Sequence, residues 1–380
     1  MTGPLIVLAA GGTGGHLFPA EALARALLSR EARPVLLTDR RGGAFDPALG
    51  DVETHRVRSG GVAGKGLVVR ALSVREIAIG VLQARTLLRR LAPAAVVGFG
   101  GYASLPATLA AVMLRIPLVA HEQNAVLGRA NRLLARGVDR IATAFPSPRH
   151  LGAALRAKAV HTGMPVRPAF ALARSRPYPK LDEAGPLRLL ILGGSQGARI
   201  FSDIVPEAVG RLPEEHRQRL GLAQQCRPED LERVRAAYDR LGIAADLAAF
   251  FSDVPERLAS AHLVIARAGA STVAELATVG RPAILVPYPF ATDDHQSANA
   301  AAVAEAGGAW LVPQPAFTAD GLAALISSLV RVRETLPEAA ARAARFGVPE
   351  AAERLADLVM TLAGSNGAGN PVALGNREAA

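Results

Sequence analysis

Short apolar runs, each about the length of one strand, alternate along the chain with longer stretches whose apolar positions recur at helical spacing. In the first half the runs predict strands at Leu5–Ala10, Pro34–Thr38, Ala94–Gly98, Pro117–His121, Arg140–Ala144 and Ala159–Thr162. Helices are predicted over 15–30, 72–91, 104–114, 126–136 and 147–155. The pattern lapses at 163–186, where Pro165, Pro168, Pro177, Pro179 and Pro186 mark a linker. It restarts with strands at 187–192, 220–225, 246–250, 262–266, 283–287 and 309–312, helices between them, and a helical stretch over 318–362. Strand and helix in alternation is the signature of parallel α/β architecture. The chain divides into two similar units, 1–163 and 187–363, with a linker at 164–186 and a Gly/Asn/Ala-rich tail at 364–380 expected to be disordered.

Two glycine-rich turns stand where an apolar run gives way to a helix. The first is Gly11-Gly12-Thr13-Gly14-Gly15-His16, the second Gly193-Gly194-Ser195-Gln196-Gly197-Ala198. Glycine permits close backbone approach to a ligand, and the following helix offers free N–H groups and the positive end of its dipole to phosphate. Two such turns half a chain apart point to two domains facing a shared, phosphate-bearing cleft. A dinucleotide is the alternative. The third glycine of G-x-G-x-x-G would fall on Leu17, which opposes it, whereas Asp39 ends the second strand where a ribose-binding acid would sit. Gly60 to Gly66 lacks both the glycine spacing and the Ser/Thr of a P-loop and reads as a loop beside the cleft.

Composition narrows the class. The chain of 380 residues is 50% hydrophobic but only 4% aromatic, so its cores rest on Ala, Leu and Val. No run of about 20 uncharged apolar residues would span a membrane, and no signal-peptide pattern opens the chain. A single cysteine, Cys226, excludes an internal disulfide and a Cys-based zinc cluster and suits a reducing compartment. The net charge of +10 is uneven: residues 1–167 hold 22 basic and 9 acidic side chains, the remainder 21 and 24. The first unit is thus drawn to polyanions such as phosphate esters, nucleic acid or an anionic membrane. Coding bias explains Arg over Lys, but not this asymmetry.

Polar constellations fall at strand ends. His16, at a helix start, suits a neutral general base, since the dipole disfavours its cation; a histidine that only caps the turn is the structural alternative. His121-Glu122-Gln123-Asn124 closes a strand and suits hydroxyl recognition, because no second histidine follows at metal-ligand spacing. Gly98-Phe99-Gly100-Gly101-Tyr102 offers another close approach, with Tyr102 as a hydroxyl contact. In Arg267-Ala268-Gly269-Ala270-Ser271-Thr272-Val273-Ala274-Glu275 the small residues let a diphosphate lie on a helix N-terminus, and Glu275 could accept from ribose hydroxyls. Asp293-Asp294-His295-Gln296 fits a sugar-binding loop better than a metal site.

Taken together the motifs resemble the MurG family of bacterial N-acetylglucosaminyltransferases, glycosyltransferase family 28. They occur in order: G-G-T-G-G-H-x-x-P from Gly11, G-G-Y from Gly100, H-E-Q-N from His121, P-V-R from Pro165, G-G-S-Q-G-A from Gly193, R-x-G-A-x-T-x-x-E from Arg267 and D-H-Q-x-x-N-A from Asp294. The resemblance covers about residues 5–360. It implies the GT-B fold: two Rossmann-like, doubly wound α/β domains facing a deep cleft. It implies inverting, metal-independent transfer of N-acetylglucosamine from UDP-N-acetylglucosamine to the C4 hydroxyl of undecaprenyl-pyrophosphoryl-N-acetylmuramyl-pentapeptide (lipid I), giving lipid II in peptidoglycan synthesis. Another UDP-sugar-dependent GT-B transferase with a different lipid acceptor is the alternative.

By the family pattern, Thr13, Gly14, Gly15, Asn124 and Gln296 lie at the donor sugar. Arg167 and Ser195 meet the UDP diphosphate, Phe251 lies at the uracil edge, Ala270, Ser271, Thr272, Val273 and Ala274 cradle the α-phosphate, and Glu275 binds ribose. His16 is the candidate base; Gly12, Tyr102 and Glu122 are acceptor-side. The chain departs from the family at Met164, where Asn is frequent, at Ala223 to Arg227, where His-Gln-Thr-Gly is frequent, and at Ser297. The resemblance also implies no cofactor, no nucleic-acid partner, peripheral placement on the cytoplasmic face of the inner membrane, and contact with cell-wall synthesis or division proteins. The membrane-facing candidates lie in 72–91: Ile77, Ile79, Val81 and Leu82, with Arg75 and Arg85 for anionic headgroups.

Overall fold

A computed structural model of the chain describes residues 3–11, 14–40, 52–60, 67–182, 185–194, 197–332 and 334–367. The first unit runs β1 (Leu5–Ala9), α1 (Gly14–Leu28), β2 (Arg33–Thr38), β3 (Thr54–Arg56), α2 (Leu67–Leu91), β4 (Ala95–Gly98), α3 (Gly101–Leu114), β5 (Leu118–Glu122), α4 (Arg129–Leu134), β6 (Arg140–Thr143), α5 (Ala153–Arg156) and β7 (Ala159–His161). After α6 (Pro168–Arg174) the second unit runs β8 (Leu187–Leu192), α7 (Arg199–Gly210), α8 (Glu214–Arg217), β9 (Leu220–Gln225), α9 (Leu231–Arg240), β10 (Ala245–Ala248), α10 (Val254–Ser260), β11 (Leu263–Ala266), α11 (Ala270–Val279), β12 (Ala283–Leu285), α12 (His295–Glu305) and β13 (Ala309–Leu311). The chain then adds α13 (Ala319–Arg331), α14 (Thr335–Phe346) and α15 (Ala351–Gly367).

Both sheets are parallel, in the orders β3-β2-β1-β4-β5-β6-β7 and β10-β9-β8-β11-β12-β13. Strand order reverses between β1 and β4, and again between β8 and β11. A crevice opens at such a reversal, beyond the carboxyl ends of the strands. The loops there follow Ala9, Gly98, Leu192 and Ala266, and they carry the glycine turns and the Arg267 motif. Apolar side chains cover both faces of each sheet, which is why the strands read as continuous apolar runs.

Three sequence expectations change. The edge strand β3 was not anticipated; three residues with no apolar run give no periodic signal. The helix expected over 147–155 shrinks to α5, because Pro146 and Pro148 precede it and His150 adopts φ 64°. The helix expected over 126–136 shrinks to α4, because Val126 bridges to Arg149 in extended form.

The division into units also differs. The stretch expected to be a plain linker contains α6, which starts on a proline and buries Phe170 and Ala173 in the second sheet's core. The last helix, expected with the second unit, crosses back: Leu355, Ala356, Val359 and Ala363 of α15 pack with Ile6, Leu8 and Leu23 of the first. Arg30 fastens it through Nε and Nη2 to Asp357 Oδ1 at 3.0 and 2.7 Å. The helix continues through 364–367, inside the expected tail; residues 368–380 lie outside the described ones. The two crossings between units touch each other. Gly163 has φ +79°, and a Cβ there would stand 2.5 Å from Val348 Cβ, so only glycine fits.

Candidate active site

The first unit's wall is built by the loops after β1 and β4. Gly12 and Thr13 lie outside the described residues; Gly14 and Gly15 open α1, and His16 is its third residue. Opposite stand Gly100 and Gly101, at φ +79° and +68°. A Cβ on Gly101 would lie 3.1 Å from His16 Nε2. Burial lowers the His16 pKa below 6.5, while bonding to the Phe99 backbone and the Gln123 side chain works the other way. Its Nδ1 is buried with no hydrogen-bond partner among the described residues. The result is a neutral imidazole at the mouth of a phosphate-compatible turn. Gly101→Ala should therefore fold yet lose about tenfold in turnover, since left-handed strain costs about 1–2 kcal/mol and the imidazole must move. A turnover assay beside a thermal melt checks this; unchanged turnover would remove Gly101 as the surface that seats His16.

His121 sits behind His16, fully buried, its pKa held down at about 4 chiefly by burial. Its Nε2 meets Gly163 O at 3.3 Å. Glu122 does not present a free carboxylate to an acceptor. Its Oε1 accepts from Asn124 N at 3.0 Å, and its Oε2 from Gly128 N at 2.7 Å and Asn131 Nδ2 at 2.8 Å. Burial raises its pKa and these bonds oppose that rise. Glu122 thus shapes the loop that carries Asn124. Tyr102, at the start of α3, packs partly on the core.

The facing wall belongs to the second unit. Gly269 caps α11, whose first N–H groups at Ala270, Ser271 and Thr272 have no partner within the helix. Val273 is buried, Ala274 half-buried. Glu275, one turn in, is half-buried with its pKa pushed up to about 7 by burial, Arg167 pulling the other way. Arg167 caps α6 between the rings of Phe18 and Phe170, at 4.9 and 5.1 Å, and its Nε is buried without a partner among the described residues. A guanidinium, a carboxyl with no hydrogen bond among the described residues and a helix N-terminus are thereby brought together. Ser195 lies outside the described residues.

Phe251 is buried in the core beneath Arg257, whose guanidinium stands 3.9 Å from the ring. Its side chain cannot line an open uracil pocket, so only its main chain is offered there; Phe250 is the exposed neighbour. Gln296 Oε1 accepts from Tyr288 N at 2.9 Å, which leaves its amide N–H groups for a ligand. Asp293 is spent on Arg129 and Arg132 across the seam, at 2.7 and 2.5 Å, rather than gathered into a metal site. Asp39, the dinucleotide marker, is buried and accepts from Ser59 Oγ at 3.0 Å.

Three residues to which the sequence assigned no role hold the site together. Gln225, ending β9, accepts from Gly193 N at 3.1 Å and donates to Gly194 O at 3.0 Å and Ala249 O at 3.2 Å, fastening the second glycine turn to the Phe250 strand end. Asn131 holds Glu122. Asn299 joins the units; its sequence signal is its place as the N of the D-H-Q-x-x-N-A motif, which by itself assigned it no role.

On α2, Ile77 and Val81 turn inward against the core, which corrects their placement as membrane-facing. Ile79 and Arg85 are half-buried, and Arg75 and Leu82 are exposed. Among the described side chains of α2, the large apolar ones left outside are Leu72, Val74 and Leu82, at 53%, 58% and 60% exposure.

Two parallel α/β sheets with switch points between β1 and β4 and between β8 and β11, a neutral imidazole beside the first and the α11 N-terminus with Arg167 and Glu275 beside the second, define a GT-B nucleotide-sugar transferase. The chain belongs to glycosyltransferase family 28: residues 6–143 match its N-terminal domain and 188–355 its C-terminal domain. It is 60% identical over 359 residues to a UDP-N-acetylglucosamine–N-acetylmuramyl-(pentapeptide) pyrophosphoryl-undecaprenol N-acetylglucosamine transferase of Paramagnetospirillum magneticum, covering 94% of this chain and 97% of that one. The protein of the same name from Rhodospirillum rubrum is 55% identical, over 94% and 92%. The crystal structure of Acinetobacter baumannii MurG superposes with a TM-score of 0.76 at 30% identity, covering 94% of this chain and 99% of that one. A UDP-GlcNAc 2-epimerase from Neisseria meningitidis shares the fold alone, at a TM-score of 0.63 and 13% identity over 94% of this chain and 99% of that one.

Proposed function

We propose that the protein transfers N-acetylglucosamine from UDP-N-acetylglucosamine to the C4 hydroxyl of undecaprenyl-pyrophosphoryl-N-acetylmuramyl-pentapeptide, giving lipid II with inversion. The observation that carries this reading is the combination of a neutral His16 in the first unit with Arg167, Glu275 and the α11 N-terminus gathered in the second. The acceptor hydroxyl gives its proton to His16 as its oxygen bonds to the anomeric carbon of the donor. The bond from that carbon to the diphosphate breaks, and UDP leaves with the electron pair. The α11 N–H groups and Arg167 stabilise that developing charge without reorganising. Asn124 and Gln296 read the donor sugar, and Glu275 accepts from ribose. Relatives at 50–60% identity share the lipid-acceptor name, which favours this acceptor over a different lipid. The test is transfer of labelled N-acetylglucosamine from UDP to a short-chain analogue of that acceptor. Hydrolysis alone, or transfer only to another acceptor, would overturn it.

A polyprenyl acceptor stays in its bilayer, and among the described residues no helix is long and apolar enough to cross one. The proposed contact is therefore peripheral, through Leu72, Val74 and Leu82 with Arg75 beside them, at the cytoplasmic face of the inner membrane. Replacing the three apolar residues by serine should weaken binding to anionic vesicles about 100-fold, at roughly 1 kcal/mol per partly inserted side chain. Turnover of a water-soluble acceptor should not change. Co-sedimentation checks this; equal binding by both proteins counts against the surface.

A further inference from the structure

Asn299 on α12 is fully buried, yet its carboxamide is spent on both sides of the cleft. Its Oδ1 accepts from Ala125 N at 2.8 Å, and its Nδ2 donates to Asn124 Oδ1 at 3.1 Å and to Ala268 O at 3.0 Å. The amide can sit only one way round, because Ala125 N is solely a donor and Ala268 O solely an acceptor. Asn124 and Ala125 follow β5 of the first unit; Ala268 lies one residue before the cap of α11 in the second. One side chain therefore ties the turn after β5 to the turn that opens toward the diphosphate.

A consequence falls on Asn124. Its carbonyl oxygen is committed to Asn299, so its amide N–H groups are the part left to face Glu122 and the cleft. The entry to α12 grips the same stretch of the first unit, through Asp293 against Arg129 and Arg132. Gln296 rides on that helix too. We infer that Asn299 is a positioning residue that sets Asn124 of one unit in register with a donor held by the other, so that the donor sugar is read only when the units are joined. The inference rests on the proposed reading of Asn124 as a donor-sugar contact.

The experiment is a double-mutant cycle in the full chain. It compares kcat/KM for UDP-N-acetylglucosamine in the unaltered protein, Asn124→Ala, Asn299→Ala and the double variant, with UDP affinity measured by calorimetry. Each single change should cost about 10–100-fold, because a buried partner is left unsatisfied. The double variant should lie within about threefold of the worse single one, since both remove one linked contact. UDP, which lacks the sugar, should bind Asn299→Ala nearly as it binds the unaltered protein. Multiplying losses, or UDP affinity falling as far as donor affinity, would overturn the inference and reduce Asn299 to a brace for the α11 turn. If Asn299→Ala melts below assay temperature, Asn299→Asp carries the same cycle: it keeps shape and the Ala125 bond but loses the amide donor. If Asn124→Ala alone is without effect, the donor-sugar reading fails; if it impairs and the cycle is additive, the inference fails.

Discussion

His16→Ala is expected to lower kcat by about 10²–10⁴-fold, the range a positioned general base supplies. Donor binding should stay close to that of the unaltered protein, because UDP is held by the other wall and the sugar is read by Asn124 and Gln296 rather than by His16. The pH profile carries the second half of the argument. His16 works as a base only when neutral, and burial keeps its pKa below the ordinary 6.5. At saturating donor, kcat should be flat from pH 6.5 upward and fall only as pH drops through that lowered value. The alanine variant should lose this acid limb. Unchanged kcat with a raised donor KM would remove His16 from the base role and leave it a binding residue.

Glu275→Ala is expected to act on binding instead. A hydrogen bond to a charged group contributes about 1.5–3 kcal/mol, so UDP affinity should fall about 10–100-fold. The carboxyl is held at about 7 by burial, and among the described hydrogen bonds it makes none. Its ionised form is the better acceptor for ribose hydroxyls. Affinity for UDP-N-acetylglucosamine, whose diphosphate has no proton to lose near neutrality, should therefore rise as pH increases through 7 and level off above it. Glu275→Gln should flatten that dependence. Linkage gives an independent sign. Between the ordinary value of 4.5 and about 7 the folded state holds a proton that the unfolded state has lost, so stability falls as pH rises across that window. The ligand-free Glu275→Gln protein should accordingly melt higher than the unaltered one at pH 8 and alike at pH 4. Unchanged UDP affinity by calorimetry would end the ribose assignment.

Much of this was legible before any coordinates. The parallel strands announced themselves because both sheet faces are covered, so each strand is a short continuous apolar run. The glycine turns and the Arg267 motif were legible because close backbone approach admits few residue types. The Glu122 loop was misread for the opposite reason. A carboxylate at a strand end looks the same whether it faces a ligand or its own loop, and here Gly128 N and Asn131 take it. Likewise the helical spacing of α2 could mark an apolar face but could not say which face the sheet would claim; Ile77 and Val81 went inward.

The sequence by itself determined the local chemistry: two α/β units, two phosphate-compatible turns, a histidine after the first and a glutamate one turn into α11. Those features depend on neighbours within a few residues, where periodicity and backbone conformation act. The tertiary structure alone decided what meets across the cleft. It sent α15 back onto the first sheet, seated Arg167 between Phe18 and Phe170, buried Glu275 until its pKa rose, and joined Asn299 to Asn124. Burial and pairing between residues more than a hundred positions apart leave no local pattern, because they arise only when two separately folded sheets are packed together.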